Sequence, residues 1–138
     1  MRMLFFILLY GAAFSLNAQV KDSVLIGEWD LIKIIDNFTG DEIPPAKKKS
    51  DFQYYISFQE DSLVKFNLEV NKCRNSYVLP QKNQIKFLYY AECTEICCDK
   101  DFSALLNYEE CTSYYIKNNT VLVLVSDDRI YYFNRKGA

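Results

Sequence analysis

The residues best suited to chemistry crowd into one stretch, AECTEICCDK at 91–100, where Cys93, Cys97 and Cys98 fall within six positions. Cys73 upstream and Cys111 downstream complete the five cysteines of the 138-residue chain. Cysteines at this density can hold a metal, exchange electrons or staple a fold. A structural zinc site takes paired short spacings such as C-x-x-C, or mixes thiolates with imidazoles. Here the spacings are irregular and the chain has no histidine, so no metal site is expected. Redox enzymes place a C-x-x-C pair at a helix N-terminus, where the dipole lowers a thiol pKa. Cys97 and Cys98 do precede a predicted helix, but Glu95, Asp99 and Asp101 oppose thiolate formation. The remaining reading is a disulfide staple. Adjacent cysteines in an extended chain point to opposite sides, so Cys97 and Cys98 are expected to take different partners. With five cysteines, one thiol is left over or pairs outside the chain, and sequence alone does not choose the connectivity.

The missing histidine also removes Ser-His and Cys-His nucleophile activation and imidazole acid-base catalysis. Carboxylates are plentiful, but Glu109-Glu110 and Asp127-Asp128 look like solvated ends of elements rather than a paired acid and base. Four glycines in the whole chain make no phosphate-cradling loop. No catalytic residue and no cofactor is therefore assigned, and the chain is read as not an enzyme. Its formal net charge of -2 gives nucleic acid nothing to bind, and Lys47-Lys48-Lys49 after Pro44-Pro45 reads as a solvated loop.

The elements that must position the cysteines begin with an export signal. MRMLFFILLYGAAFSLNA, residues 1–18, has a basic start at Arg2, an apolar run and a small residue at Ala18, the pattern of a secretory signal peptide. The apolar run is too short to span a membrane, and no cysteine follows the cleavage point to carry a lipid. The expected product is a periplasmic or secreted protein that is not a lipoprotein and has no transmembrane segment, in a compartment where thiols pair. Residues 19–138 then make a single domain.

Within it, short runs alternate apolar and polar residues between turn residues, as in antiparallel β-sheets. Strands are expected at 26–35, 53–59, 62–70, 73–79, 84–90, 112–117, 120–126 and 129–135. A long loop follows the first strand, and tight turns are expected at Asn118-Asn119 and Asp127-Asp128. DKDFSALLNYEE at 99–110 breaks the pattern and reads as a short helix of two or three turns, with Asp99 as N-cap. The fold class is mainly β: a small antiparallel, barrel-like sheet of about eight strands with one short helix packed on it.

Trp29, in Gly27-x-Trp29-x-Leu31, is the only tryptophan. It is either a core aromatic with Gly27 allowing close backbone approach, or the floor of a ligand cavity. The 11 Tyr and 10 Phe fit a filled barrel interior or a carbohydrate-stacking surface. Their alternation within strands favours the core.

These segments together resemble the META domain of HslJ-type bacterial envelope proteins. Leu25-x-Gly27-x-Trp29-x-Leu31 is similar to that family's first strand, and NKCRNSYVLPQKNQIKF to its Gly-Cys-Asn segment, with Cys73 in the cysteine position. TEICC resembles the family's Thr-x-Met-x-Cys, placing Thr94, Ile96 and Cys98, and Tyr114, Ile116, Leu122 and Leu124 match its ending. Lys72 stands where the family has Gly and Arg74 where it has Asn, and Cys93, Cys97 and Cys111 are additional. The resemblance implies a small barrel-like domain in the envelope, linked to heat-shock or antibiotic stress, with no defined catalytic activity.

Gly-x-Trp on the first strand also resembles lipocalins, which carry an Arg near their last strand; Arg129 or Arg135 would be that residue. Lipocalins, however, place their helix after the barrel strands. The partner is accordingly expected to be an envelope macromolecule, or alternatively a small apolar ligand in the barrel; a secreted disulfide-stapled inhibitor is a further alternative. Cys73 and Cys98 are expected to lie close enough to bridge, with a second bridge among Cys93, Cys97 and Cys111.

Overall fold

Apolar alternation along the chain becomes ten antiparallel strands in the computed structural model, which describes residues 20–46, 52–99 and 101–138. The signal peptide expected at 1–18 and the Lys47-Lys48-Lys49 run lie outside the described residues. The strands are β1 (Gly27–Asp36), β2 (Glu42–Ile43), β3 (Tyr55–Phe58), β4 (Leu63–Asn67), β5 (Lys72–Val78), β6 (Lys86–Phe87), β7 (Glu92–Cys93), β8 (Ser113–Lys117), β9 (Val121–Val125) and β10 (Arg129–Arg135). Eight of them run side by side in the order β6-β5-β4-β3-β1-β10-β9-β8, while β2 adds to β1 and β7 adds to β5. The sheet curls until its ends meet. Ile85 N donates to Thr112 O, Tyr114 N donates to Asn83 O, and Gln84 bridges Ser113.

Curling turns one residue of every pair inward. Trp29, Tyr54, Phe58, Tyr114, Tyr131 and Phe133 are fully buried inside the sheet. In β1 the pairing with β10 shifts register between Leu31 and Lys33, so the inward set passes from Trp29 and Leu31 to Ile34. Such a bulge bends the strand and lets one long strand serve two halves of the barrel. Asn118 and Asn119, both at positive φ, make the tight β8–β9 turn, a conformation asparagine tolerates better than most residues.

The helical segment is present, with a different geometry from that expected. Two 3-10 turns, Asp101–Leu105 and Tyr108–Glu110, replace a continuous α-helix. Phe102 and Leu106 lie one helical turn apart and are both buried, but Tyr108 is buried too. A continuous helix would swing Tyr108 away from their face, so the chain breaks at Asn107 and drives the Tyr108 ring onto Phe66, Tyr131 and Phe133. The break is held by Tyr131, whose hydroxyl donates to Leu105 O and accepts from Asn107 N.

Candidate binding surface

The cysteines sort differently from the expected pairing. Cys73 is bonded to Cys93, not Cys98: the two are directly opposite on β5 and β7, with Cα atoms 4.1 Å apart. The sequence carries no sign of this pairing, because β7 has only two residues and shows no alternation. Cys97 and Cys98 stand at disulfide distance from each other, contrary to the expectation of separate partners. That expectation assumed an extended chain, whereas the chain bends at Cys97. Cys111 is free and buried, and joins no bridge. Burial pushes its thiol pKa far up, so it is a core residue rather than a nucleophile.

Asn71 and Asp99 fasten the cysteine loop to the β4–β5 turn. The Asn71 side chain donates to Ile96 O and accepts from Ile96 N and from the Thr94 hydroxyl. Asp99, expected as an N-cap, instead accepts from the backbone N–H groups of Val70 and Asn71 and from the Asn71 amide. Burial alone would raise the Asp99 pKa, but these hydrogen bonds hold it below the ordinary carboxylate value.

Trp29 is buried in the core beside Leu31, and its indole N–H donates to Leu25 O at 2.9 Å. Of the two candidate arginines, Arg135 is the one that meets it, with its guanidinium carbon 4.0 Å from the ring centroid. Arg135 also donates to Ile26 O, Val24 O and Asn119 O, tying the chain before β1 to the β8–β9 turn. A Cβ on Gly27 would intrude on this guanidinium at 2.9 Å. Gly27, Trp29 and Arg135 therefore form a structural clamp, and Leu31 is a buried core residue beside it. A cleft of about 370 Å³ opens nearby between Val20, Ile26, Tyr77 and Leu79, but Trp29 does not line it.

The outer face of β4, β5 and β7 carries a different assembly. Lys65 on β4 lies directly opposite Arg74 on β5, and Lys72 sits one outward position along β5. Like charges directly opposite destabilise a sheet, so this arrangement costs stability. On the other side Arg74 meets Glu92 of β7: Nε donates to Oε2 at 2.9 Å, and Nη2 lies 2.8 Å from the same oxygen. The Cys73–Cys93 bridge is the next pair along these strands, so the disulfide fixes Glu92 against Arg74.

Beside this charged face stand two exposed tyrosines. The expected strand at 84–90 pairs with β5 only at Lys86 and Phe87, and β7 rejoins β5 at Glu92. Four residues, 88–91, stand against Asn75 and Ser76 on β5, so Leu88, Tyr89 and Tyr90 bulge outward, while Ala91 packs back on the core with its N–H donating to Glu109. Leu88 N donates to Ser76 O and the Asn75 amide to Tyr89 O, which pins the base of the bulge. Tyr89 is 73% and Tyr90 92% exposed. Clefts of about 440 and 260 Å³ run along the face and share Arg74 and Glu92 in their walls. Tyr55, Lys65 and Lys72 line the first, Tyr89 and Tyr90 the second. The sequence reading did not select these residues, although Lys72 and Arg74 were visible as departures from the META pattern.

No protein-family model matches the chain, and no curated protein matches it. The structure is similar to the crystal structure of a DUF4847 family protein from Bacteroides vulgatus ATCC 8482, with a TM-score of 0.56 over 84% of this chain and 96% of that one. At 11% identity this likeness establishes the fold alone.

Proposed function

We propose that this chain is an exported, non-enzymatic, META-like domain that binds another macromolecule of the envelope through the outer face of β4, β5 and β7. One observation carries the reading: the interior is packed with fully buried aromatics, while three cations and two exposed tyrosines share one outer face. A filled interior leaves recognition to the surface, and exposed tyrosines beside arginine are the residues on which interfaces concentrate binding energy. Capture from native envelope by wild type and by an Arg74→Ala/Tyr90→Ala variant tests this. Wild type should retain a component that the variant loses, and identical captures would refute the reading.

A second reading, a lipocalin-like binder of a small apolar ligand, is favoured by the Arg135–Trp29 contact. Its site would be the cleft at Ile26, Tyr77 and Leu79. Titration with lipophilic ligands tests this reading. Saturable heat of binding in calorimetry supports it, and no measurable binding of any of them counts against it.

A further inference from the structure

We propose that the face around Arg74 binds an acidic polysaccharide whose sugars carry carboxylates, a glycan of uronic acid type. This rests on the outer-face reading above and names its ligand. The charge pattern favours an anion. Lys65 and Lys72 form no ion pair among the described residues, and Arg74, opposite Lys65, is balanced only by Glu92. An anionic group set between Lys65, Lys72 and Arg74 would remove the cross-strand repulsion. The guanidinium suits a carboxylate because its planar fork already engages that of Glu92, and a ligand carboxylate can use the donors that Glu92 leaves free.

The aromatic part of the face selects the rest of the ligand. Tyr90 and Tyr89 present rings that the fold does not cover, with Tyr55 partly exposed beyond Lys65. Flat aromatic faces attract the weakly polar C–H face of a pyranose, and the phenol hydroxyl at the ring edge can bond sugar hydroxyls. A uronate unites both demands in one residue: an apolar ring face and a carboxylate at its rim. Single-stranded nucleic acid also combines flat rings with negative charge. Net charge and Glu92 act on any polyanion alike, so poly(dT) stands beside polygalacturonate in the test.

Native affinity electrophoresis of the purified protein in gels containing polygalacturonate, dextran, dextran sulfate or poly(dT) tests the assignment. Polygalacturonate should retard wild type and dextran should not. Arg74→Ala, Lys65→Ala/Lys72→Ala and Tyr90→Ala should each weaken the retardation about 10-fold, the loss expected from about 1.4 kcal/mol. Lys82→Ala/Lys117→Ala, which removes the same charge as the double-lysine variant elsewhere on the surface, should leave it unchanged. All these side chains are exposed, and circular dichroism checks that each variant is folded. The inference is overturned if polygalacturonate does not retard wild type, if dextran sulfate or poly(dT) binds in its place, or if the control pair weakens binding equally. If polygalacturonate fails while the Arg74→Ala/Tyr90→Ala variant still loses an envelope component, the glycan assignment falls and the outer-face reading stands.

Discussion

A Cβ on Gly27 would stand 2.9 Å from Arg135 Nη1, so the guanidinium reaches across Trp29 only because position 27 has no side chain. Gly27 also has φ +132°, a conformation that side-chain-bearing residues rarely adopt. Gly27→Ala should therefore lose about 1–3 kcal/mol in chemical denaturation. Arg135→Lys should not substitute for the native residue, since an ammonium cannot lie flat on the indole while serving three separated carbonyls. Stability of Arg135→Lys equal to wild type would show that the clamp is unimportant.

Tyr108 and Tyr131 are neighbours in the core with opposite polar accounts. The Tyr108 hydroxyl is buried with no hydrogen-bond partner among the described residues, whereas that of Tyr131 donates to Leu105 O and accepts from Asn107 N. Leaving a buried hydroxyl unsatisfied costs roughly 1–3 kcal/mol, and removing a satisfied one loses about 1 kcal/mol. Tyr108→Phe should thus be neutral or stabilising by about 1 kcal/mol, and Tyr131→Phe destabilising by a similar amount. Urea denaturation of the two variants checks the contrast; equal losses in both would contradict it.

How far the sequence reached follows from what periodicity can encode. Alternation in IGEWDLIKII, SLVKFNLEV and RIYYFNR placed β1, β4 and β10, because burial of every second residue writes itself into the side chains. Pairings two residues long leave no such mark, so β2 and β7 were invisible, and with them the partner of Cys73. Tyr89 and Tyr90 fitted the end of an apolar run, and only the return of the chain to β5 at Glu92 shows that they bulge outward. The cation cluster is a property of register between β4 and β5, and Lys65 and Arg74 are nine positions apart in the chain. Gly27 and Trp29, by contrast, were selected from the sequence because a unique tryptophan beside a glycine is a local signal.

Asp99 makes the attachment of the cysteine loop sensitive to acid. Its folded pKa lies below the ordinary value of 3.8, because of hydrogen bonds from Val70, Asn71 and the Asn71 amide that outweigh burial. A carboxylate depressed in the folded state contributes stability above its unfolded pKa and loses it as pH falls through the folded pKa. The loop should stay attached from neutrality down to about pH 4 and loosen below it. Protection of the Val70 and Asn71 amides from hydrogen exchange, taken relative to the intrinsic rate at each pH, should fall across that acid range in wild type. In Asp99→Asn it should be lower at neutral pH and lose that acid-dependent step; the same step in the variant would assign the effect to another group.

The five cysteines give a map that one digestion reads. Trypsin cuts beside Lys72 and Arg74, and a glutamyl endopeptidase cuts after Glu92 and Glu95, so the two enzymes separate Cys73, Cys93 and the Cys97–Cys98 pair onto different peptides. Without reductant, the Cys73 peptide should be joined to 93–95, and the peptide holding Cys97 and Cys98 should carry its bridge internally. A Cys73 peptide joined to 96–100 would restore the pairing first expected from the sequence. The free thiol of Cys111 should react with a thiol reagent only after denaturation, since burial both shields it and keeps it protonated. Replacing Cys73 and Cys93 together by Ser opens a loop with a sequence separation of 20 and should lower stability by about 3 kcal/mol. Because the ladder of β7 on β5 is two residue pairs long, with Thr94 and Ile96 anchored beyond it, the same variant should also loosen Glu92 from Arg74. Unchanged stability in that variant would mean that the strand pairs and these anchors suffice to hold β7.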